Sequence, residues 1–300
     1  MEIKNDSLKR ILDNALGVNI QQQNILADPN ATSEDTSIQS DKVVAFDKGL
    51  SFRAGRRLVA EELNKQNNIE NVVKKADEIL QADQETSATQ DEVDKGWVDE
   101  CLDGAGKAYN EDLRLYWAKL LAGETRAPGT YSLRAVDFMK KLSKKDAERL
   151  RLLCKLVMYT YDNNVDAVIL RYDHGSHYKY TDMRYLMELG LIDASSSVVI
   201  QLKFNDKGKG NVSYFHGKAA ISLDVERKEY DLPVYAFTEL GKEILSVIDD
   251  QEVDFEYLKE FSRSITNGRK GISIIGGRLI TKNGEHAIVQ DNMFFRYPEN

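Results

Sequence analysis

The sequence predicts an α+β protein that is mainly α-helical: a helical bundle with long helices, then a smaller mixed domain, then a C-terminal hairpin. Three observations support this prediction. Apolar residues recur at helical spacing across residues 43–163. After Asn164 the pattern changes to short extended runs, beginning with VDAVILR at 165–171. Near the end, Asn283 and Gly284 separate two further extended runs, which is a strong hairpin signal.

The chain of 300 residues is long enough for about two domains. One short amphipathic helix is predicted over 7–17, with Asp6 or Ser7 as N-cap and Gly17 as the stop. A lone helix of about ten residues is marginal in water, so we expect it to dock on its own domain or on a neighbouring subunit. The predicted segments are 1–42 (short helix and flexible tether), 43–163 (helical domain), 164–250 (mixed domain) and 251–300 (C-terminal helix and β-hairpin).

Helix-start and helix-stop signals divide the helical domain. Residues 43–80 carry no proline and one loose apolar stripe, so they form either one long helix or two helices joined near Asn67 and Asn68. Thr89 and Glu92 have the spacing of a capping box, which predicts a helix that starts there. Three more predicted helices follow: one opened by Asn110 and ended by Gly123 with Pro128 and Gly129, one over 135–142, and one capped by Ser143 with Asp146 and continuing through Tyr161.

The mixed domain alternates extended and helical segments. Gly190 ends its first helix, and Thr238 caps the second. The predicted elements are, in chain order, strands at 165–171 and 197–204 around a helix over 183–189, an extended segment near Ala219–Val225, a helix over 235–248 and a last helix over 257–265.

Composition limits the classes of function. The chain carries 41 basic against 49 acidic residues, a net charge of −8, so as a whole it repels phosphate. A hydrophobic fraction of 42% with 30% charged residues excludes wholesale disorder and a membrane-embedded chain. The two cysteines, Cys101 and Cys154, do not suffice for a disulfide framework or a thiolate cluster. We therefore expect a cytoplasmic protein with no membrane partner and no cofactor.

One segment departs from this acidic balance. Residues 126–155 contain nine basic and three acidic residues, a local charge of +6. Residues 81–104, in contrast, contain eight acidic residues against Lys95 alone. The basic segment is predicted to face either nucleic-acid phosphate or the acidic segment of the same or a neighbouring subunit.

The residues that would bind nucleic acid or a protein partner come from the basic segment and from the mixed domain. Tyr178 and Tyr180, which lie among the second group, are suited to stacking on unpaired bases. The predicted binding residues are Lys140, Lys141, Lys144, Lys145, Arg149, Lys179, Arg184, Lys207 and Lys209.

Catalytic chemistry has little support in the sequence, and no catalytic residue is assigned. Asp173, His174 and His177 form the one local histidine pair, and with Asp166 or His216 they would make a mixed nitrogen and oxygen metal site. The alternative interpretation is a polar loop with solvated imidazoles. Phosphate-binding loops and nucleophile elbows have no match at the required spacing.

Two runs in the helical domain resemble a bacterial family. The run WAKLLAGE at 117–124, followed by PGTYS at 128–132, resembles a family described as a domain of unknown function. The phrases LLAGE and LSKKDA are similar to the abortive-infection alpha family of phage-defence proteins. The first resemblance implies no activity, and the second implies a context of phage response.

Two further phrases resemble winged helix-turn-helix regulators of bacteria. LMELGLI at 186–192 is similar to the end of their recognition helix, and FTELGKEIL at 237–245 is similar to their closing helix. This resemblance implies a winged-helix-like domain over 164–250. One departure is that the nine residues between the strand at 165–171 and Thr181 leave little room for the usual supporting helix.

Together these features predict a non-enzymatic binding or regulatory protein that recognises nucleic acid or a protein partner, in the setting of phage response. An alternative is a homo-oligomeric structural scaffold, assembled through the N-terminal helix and the long helix that follows it. A more remote alternative is a metal-dependent enzyme that uses the histidine pair.

Overall fold

The computed structural model describes two compact units, Met1–Lys140 and Lys141–Asn300. The protein is mixed α and β, and helices predominate, as the sequence predicts. Within the described residues, no helix is both long and apolar enough to span a membrane. These residues are 3–15, 48–82, 92–160, 167–171, 177–193, 199–203, 210–216, 219–226, 229–250, 252, 254–267, 270–283 and 286–298.

The first unit is built from helices. In the described part of this unit they are α1 (Asp6–Ala15), α2 (Lys48–Ala82), α3 (Lys95–Gly106), α4 (Glu111–Arg126) and α5 (Leu133–Lys141). The long helix α2 continues without a break through Asn67 and Asn68, which settles the choice between one helix and two.

The helix starts and stops follow from side chains that satisfy free N–H groups. Asp94 caps α3 by accepting the Trp97 N–H at 2.8 Å, so α3 begins at Lys95 rather than near Thr89. Thr89 itself lies outside the described residues. Asn110 caps α4 as predicted and accepts the Leu113 N–H at 2.8 Å. α4 continues through Gly123 and ends at Arg126, just before Pro128 and Gly129, the other two residues of the predicted stop.

The core of the first unit lies between α2, α3 and α4. Trp117 is almost fully buried, and a Cβ on Gly104 would overlap its ring, so this position needs glycine for the close approach of α3 and α4. Cys101 is completely buried nearby. Burial, and secondarily the charge of Glu124, raise the pKa of its thiol, which therefore stays protonated and unreactive.

A buried carboxylate fixes the loop between α4 and α5. Glu124 accepts the N–H of Gly129 at 2.6 Å and the N–H of Tyr131 at 2.8 Å. Gly129 has a φ of +88°, a value that L side chains rarely adopt. A Cβ on Gly123 would lie 2.6 Å from the Tyr131 ring, so glycine is also required there. These contacts give the runs WAKLLAGE and PGTYS a structural role.

A second buried carboxylate fastens the N-terminal helix. Asp77 of α2 accepts the N–H of Lys4 at 3.2 Å and the N–H of Asn5 at 2.9 Å, and it is also hydrogen-bonded to Gln81. Leu8 and Ile11 of α1 are buried. The sequence analysis expects this helix to dock on its own domain or on a neighbouring subunit. In the structure it docks on its own domain.

The second unit combines helices with one antiparallel sheet of eight strands. The strand order is β3-β6-β2-β1-β4-β5-β7-β8. Its described elements are α6 (Lys144–Cys154), β1 (Val157–Thr160), β2 (Ala167–Leu170), α7 (Tyr180–Glu188), β3 (Val199–Lys203), β4 (Gly210–His216), β5 (Ala219–Val225), β6 (Glu229–Ala236), α8 (Glu239–Ile248), α9 (Phe255–Thr266), β7 (Ile272–Asn283) and β8 (His286–Tyr297).

Several predicted elements of this unit need correction. The helix expected to continue through Tyr161 ends at Cys154, and Val157–Thr160 form strand β1 instead. Leu156, Val157 and Met158 are all buried, and a continuous apolar run fits a helix and a strand equally well. Strands β4 and β6 were not predicted. The C-terminal hairpin is confirmed, with Asn283 paired to His286, and β7 also pairs with β5, so the hairpin extends the same sheet.

The turn that follows α7 is in contact with the start of α8. Gly190 has a φ of +71° and ends α7, and the Leu191 carbonyl accepts the Thr238 N–H at 2.9 Å. Thr238 caps α8 by accepting the Gly241 N–H at 3.0 Å. A Cβ on Gly241 would overlap the Leu191 carbonyl oxygen. The phrases LMELGLI and FTELGKEIL are therefore complementary packing surfaces.

Replacing Asp77 by alanine is expected to release α1 while α2 stays folded. The variant removes a charged acceptor from two N–H groups, and each such bond contributes about 1.5–3 kcal/mol. Amide exchange in peptides covering residues 4–11 should accelerate at least about tenfold. Glu78→Ala removes the neighbouring exposed carboxylate and is the control. Unchanged exchange in the Asp77 variant would contradict this role.

Replacing Glu124 by alanine is expected to destabilise the first unit strongly, because the buried N–H of Tyr131 and the part-buried N–H of Gly129 lose their acceptor. We expect the free energy of unfolding to fall by about 3 kcal/mol or more, measured by urea denaturation. Glu111→Ala removes an exposed carboxylate of the same helix and should change it by about 0.5 kcal/mol or less. A small effect of Glu124→Ala would show that water replaces the carboxylate.

Candidate nucleic-acid interface

Helices α6 and α7 are joined through Arg149. Its Nη2 donates to Asp182 Oδ1 at 2.9 Å and to the Thr181 carbonyl at 3.2 Å. Its guanidinium lies 3.9 Å from the centre of the Tyr185 ring. A planar cation held on two sides in this way has little freedom, so Arg149 sets the distance between the two helices.

The carboxylates of this contact are fully used as acceptors. Asp146 accepts the Ser143 hydroxyl at 2.5 Å and the Tyr185 hydroxyl at 2.8 Å, and these bonds, the one from Ser143 first, lower its pKa. Partial burial raises the pKa of Asp182, but the Lys179 N–H and Arg149 lower it overall. Both groups are therefore ionised at neutral pH and position neighbours rather than transfer protons.

Exposed cations flank this contact. Lys145 lies one turn before Arg149 on α6 and is exposed. Lys179 is the N-cap of α7, its N–H donates to Asp182 Oδ2 at 2.9 Å, and its side chain is exposed. Tyr180, the next residue, is 74% exposed. We call Lys145, Arg149, Lys179 and Tyr180 the junction surface.

Three other predicted binding residues lie outside the junction surface but on exposed helix positions. Lys144 lies 3.8 Å from Glu148, and Arg184 donates to Glu188 at 2.8 Å, each within one helix turn. Such exposed pairs contribute little and leave the cations accessible. Lys141 is exposed at the end of α5, two residues before the cap of α6.

Lys140 has a different environment. It is paired with Glu100 and lies 3.6 Å from Asp103, and the Glu100 carboxylate raises its pKa. Both partners belong to the acidic segment 81–104, so for this one cation the structure supports pairing within the chain. Lys140 is therefore already paired within the chain, and its role as a binding residue stays a prediction.

The remaining predicted contacts are only partly described. Lys207 and Lys209 lie outside the described residues. Tyr178 is half-buried, and its ring is perpendicular to that of Tyr235 with ring centres 6.0 Å apart, so its stacking on bases stays a prediction. Between β2 and α7 the described residues contain no supporting helix, and residues 172–176 are not described. Insertion of α7 into a nucleic-acid groove therefore remains a prediction.

The histidine cluster has a structural role where it is described. His177 Nδ1 lies 2.9 Å from Asp254 Oδ2, and Nε2 lies 3.3 Å from Glu260 Oε2. Asp254 also caps α9. The two carboxylates contact opposite edges of the imidazole, so they do not converge on one ion. No group within the described ranges could hold a metal ion. Asp166, Asp173 and His174 are outside these ranges, and the His216 side chain is not described.

Sequence reasoning missed the residues that build the contact between α6 and α7, namely Asp146, Asp182 and Tyr185. One signal pointed to Asp182, because it lies three residues after Lys179, where an acidic side chain reaches back to the N-cap N–H. No comparable signal marks Tyr185, since its partner Asp146 is 39 residues away in the chain.

The comparisons with known proteins give a family without an assigned activity. No curated protein and no solved structure is significantly similar to the chain. A family described as "Protein of unknown function (DUF2806)" matches residues 52–262, which include both the junction surface and the loop held by Glu124. Because this match covers well over half of the chain, the protein belongs to the DUF2806 family.

Proposed function

We propose that this protein is a non-enzymatic binding protein that recognises single-stranded nucleic acid through the junction surface. The observation that carries the proposal is the fixed position of Arg149 on Asp182 and Tyr185, with Lys145 and Lys179 exposed on either side. Cations placed on two rigid helices bind a phosphate backbone with little loss of side-chain or loop entropy.

The exposed ring of Tyr180 favours a single strand over a duplex. It is one of the most exposed large side chains in the described residues, and it adjoins Lys179. An aromatic face beside a cation is the arrangement on which unpaired bases stack, whereas paired bases do not offer their faces. The net charge of −8 confines binding to this local surface and makes it sensitive to salt.

The biological setting is part of the same proposal. The similarity of LLAGE and LSKKDA to abortive-infection proteins supports a role in phage response, where foreign nucleic acid is available as a ligand. The similarity of LMELGLI and FTELGKEIL to winged-helix regulators supports a role for α7 in recognition, and its amino-terminal residues contribute half of the junction surface.

Charge reversal at the junction surface is expected to weaken binding and its dependence on salt. Fluorescence anisotropy with labelled single-stranded DNA and RNA oligonucleotides, at several salt concentrations, measures both. The double variant Lys145→Glu with Lys179→Glu should bind at least about tenfold more weakly, and the slope of log K against log salt should fall by about 2. The double variant Lys9→Glu with Lys74→Glu makes the same change of net charge at two exposed lysines of the first unit and is the matched control.

No binding of the wild-type protein to either oligonucleotide at low salt would overturn the proposal. An equal loss in the control double variant would also contradict it, since the effect would then come from net charge alone. Preferred binding to a duplex over single strands would favour groove recognition by α7 instead.

Removing the Tyr180 ring is expected to reduce affinity without changing the salt slope, because stacking involves no counterions. Tyr180→Ala should weaken single-strand binding by about 1–3 kcal/mol, while Tyr180→Phe keeps the ring and should bind like the wild type. The same anisotropy assay measures both variants. Equal affinities for alanine and phenylalanine would remove Tyr180 from the interface.

A further inference from the structure

His177 lies just before α7 and faces the amino-terminal part of α9. Its side chain is 15% exposed, so little water reaches the ring. Nδ1 lies 2.9 Å from Oδ2 of Asp254, the N-cap of α9, and Nε2 lies 3.3 Å from Glu260 Oε2. The ring also meets that of Tyr257 edge-on, with ring centres 5.9 Å apart. A largely buried imidazole is thus set between two carboxylates.

The protonation state of His177 decides how many of these contacts are hydrogen bonds. Neutral imidazole has one N–H and one lone pair, whereas imidazolium has two N–H groups. Nδ1 is hydrogen-bonded to Asp254, and within the described residues Nε2 has no hydrogen-bond partner. A proton added at Nε2 would face Glu260 and would place a positive charge between two negative ones. The arrangement is therefore complementary to the imidazolium rather than to the neutral ring.

The lysines of the surrounding segments are engaged elsewhere or exposed. Lys155 pairs with Glu252 at 2.6 Å, and Lys259 of α9 pairs with Glu256 at 2.7 Å. The side chain of Lys179, two residues after His177, is exposed. Of the residue types present here, histidine is the one whose charge changes between pH 5 and pH 8. The charge between the two carboxylates therefore depends on His177.

The same contact ties the start of α7 to the end of α6 by an indirect route. The Asp254 N–H donates to the carbonyl of Lys155, the residue after α6, at 3.1 Å. The Tyr257 hydroxyl donates to the carbonyl of Leu170, the last residue of β2, at 3.0 Å. His177 connects this group of contacts to α7, which Arg149 also joins to α6 directly. The first turn of α7 is thus held by two contacts, and one of them depends on a proton.

We propose that protonation of His177 fixes the first turn of α7, and with it Lys179 and Tyr180 of the junction surface, through a second hydrogen bond, to Glu260. At acidic pH both ring nitrogens donate, and the turn is held. As the pH rises, Nε2 loses its proton, its lone pair faces the Glu260 carboxylate, and the turn loosens. As a means of regulating nucleic-acid binding, this contact rests on the proposed function, but the contact itself can be tested without a ligand.

Amide hydrogen exchange of the full chain at pH 5.5 and pH 8.0 tests the contact directly. Each rate is divided by the intrinsic exchange rate at the same pH, so that protection factors can be compared. Peptides covering residues 177–186 should be protected at least about threefold more strongly at pH 5.5. His177→Gln keeps an N–H donor but cannot gain a proton, and it should show equal protection at both pH values.

Two further variants identify the partner and the histidine. Glu260→Gln keeps the shape of the side chain but removes its charge, so the ratio of the two protection factors should fall toward one. His174→Gln changes the other histidine of the same connection and should keep the ratio of the wild type. A ratio near one in the wild type would overturn the proposal. So would a ratio that persists in His177→Gln or Glu260→Gln, or one that is lost in His174→Gln.

Single-stranded oligonucleotide binding at pH 6.0 and pH 8.0, at one salt concentration, tests the regulation. By fluorescence anisotropy the wild type and His174→Gln should bind at least about threefold more tightly at pH 6.0, and His177→Gln should lose most of this difference. Binding without any pH effect on exchange would overturn the His177 proposal and leave the proposed function standing. A pH effect on exchange without any binding would overturn the proposed function and leave the His177 contact standing.

Discussion

Carboxylates that accept backbone N–H groups hold together the places where this chain enters or leaves a helix. Asp77 binds two N–H groups ahead of α1, and Glu124 binds two N–H groups in the loop after α4. Asp182 accepts one N–H group at the start of α7, and Asp254 accepts two at the start of α9. Each free N–H near a helix end needs an acceptor, and an ionised carboxylate is the strongest that a protein offers. Part of the acidic character of the chain is therefore structural.

This use of acidic residues bears on function. A carboxylate that already accepts two hydrogen bonds from its own chain is poorly suited to take a proton from a substrate. Both ring nitrogens of His177 also face carboxylates of its own chain. One contacts Asp254, the N-cap of α9, and the other faces Glu260. At the junction surface the accessible groups are the side chains of Lys145 and Lys179 and the ring of Tyr180.

Local signals in the sequence predicted the helix caps well. Asn110, Ser143 and Thr238 all cap the helices they were expected to cap, because a side-chain oxygen three residues before an N–H acts within one turn. Contacts between distant parts of the chain were not predictable in this way. Glu124 reaches the loop only because Gly123 admits the Tyr131 ring, and Tyr185 meets Asp146 only in the folded unit.

Among the strands, too, those with a clear local pattern were predicted and others were not. Ala219–Val225 was predicted with its observed limits, since it alternates and is bounded by polar residues. Val157–Thr160 was assigned to a helix, because it continues the apolar pattern of α6 and because its adjacent residues Val157 and Met158, on opposite faces of the strand, are both buried. Of the candidate site, the cations could be named from charge alone. The fixed position of Arg149 could not, since it depends on a ring and a carboxylate 33 to 36 residues away.

A helix that is buried along half its length is unequally stable along its axis. The turns of α2 near Ile69 open only when the core opens, whereas those before Leu63 unwind at little cost from the amino end. Any partner of the exposed half must therefore order it as well as cover it. The entropy lost when this half of α2 becomes ordered makes the free energy of binding less favourable. The contact therefore forms and separates readily as the concentration of the protein changes.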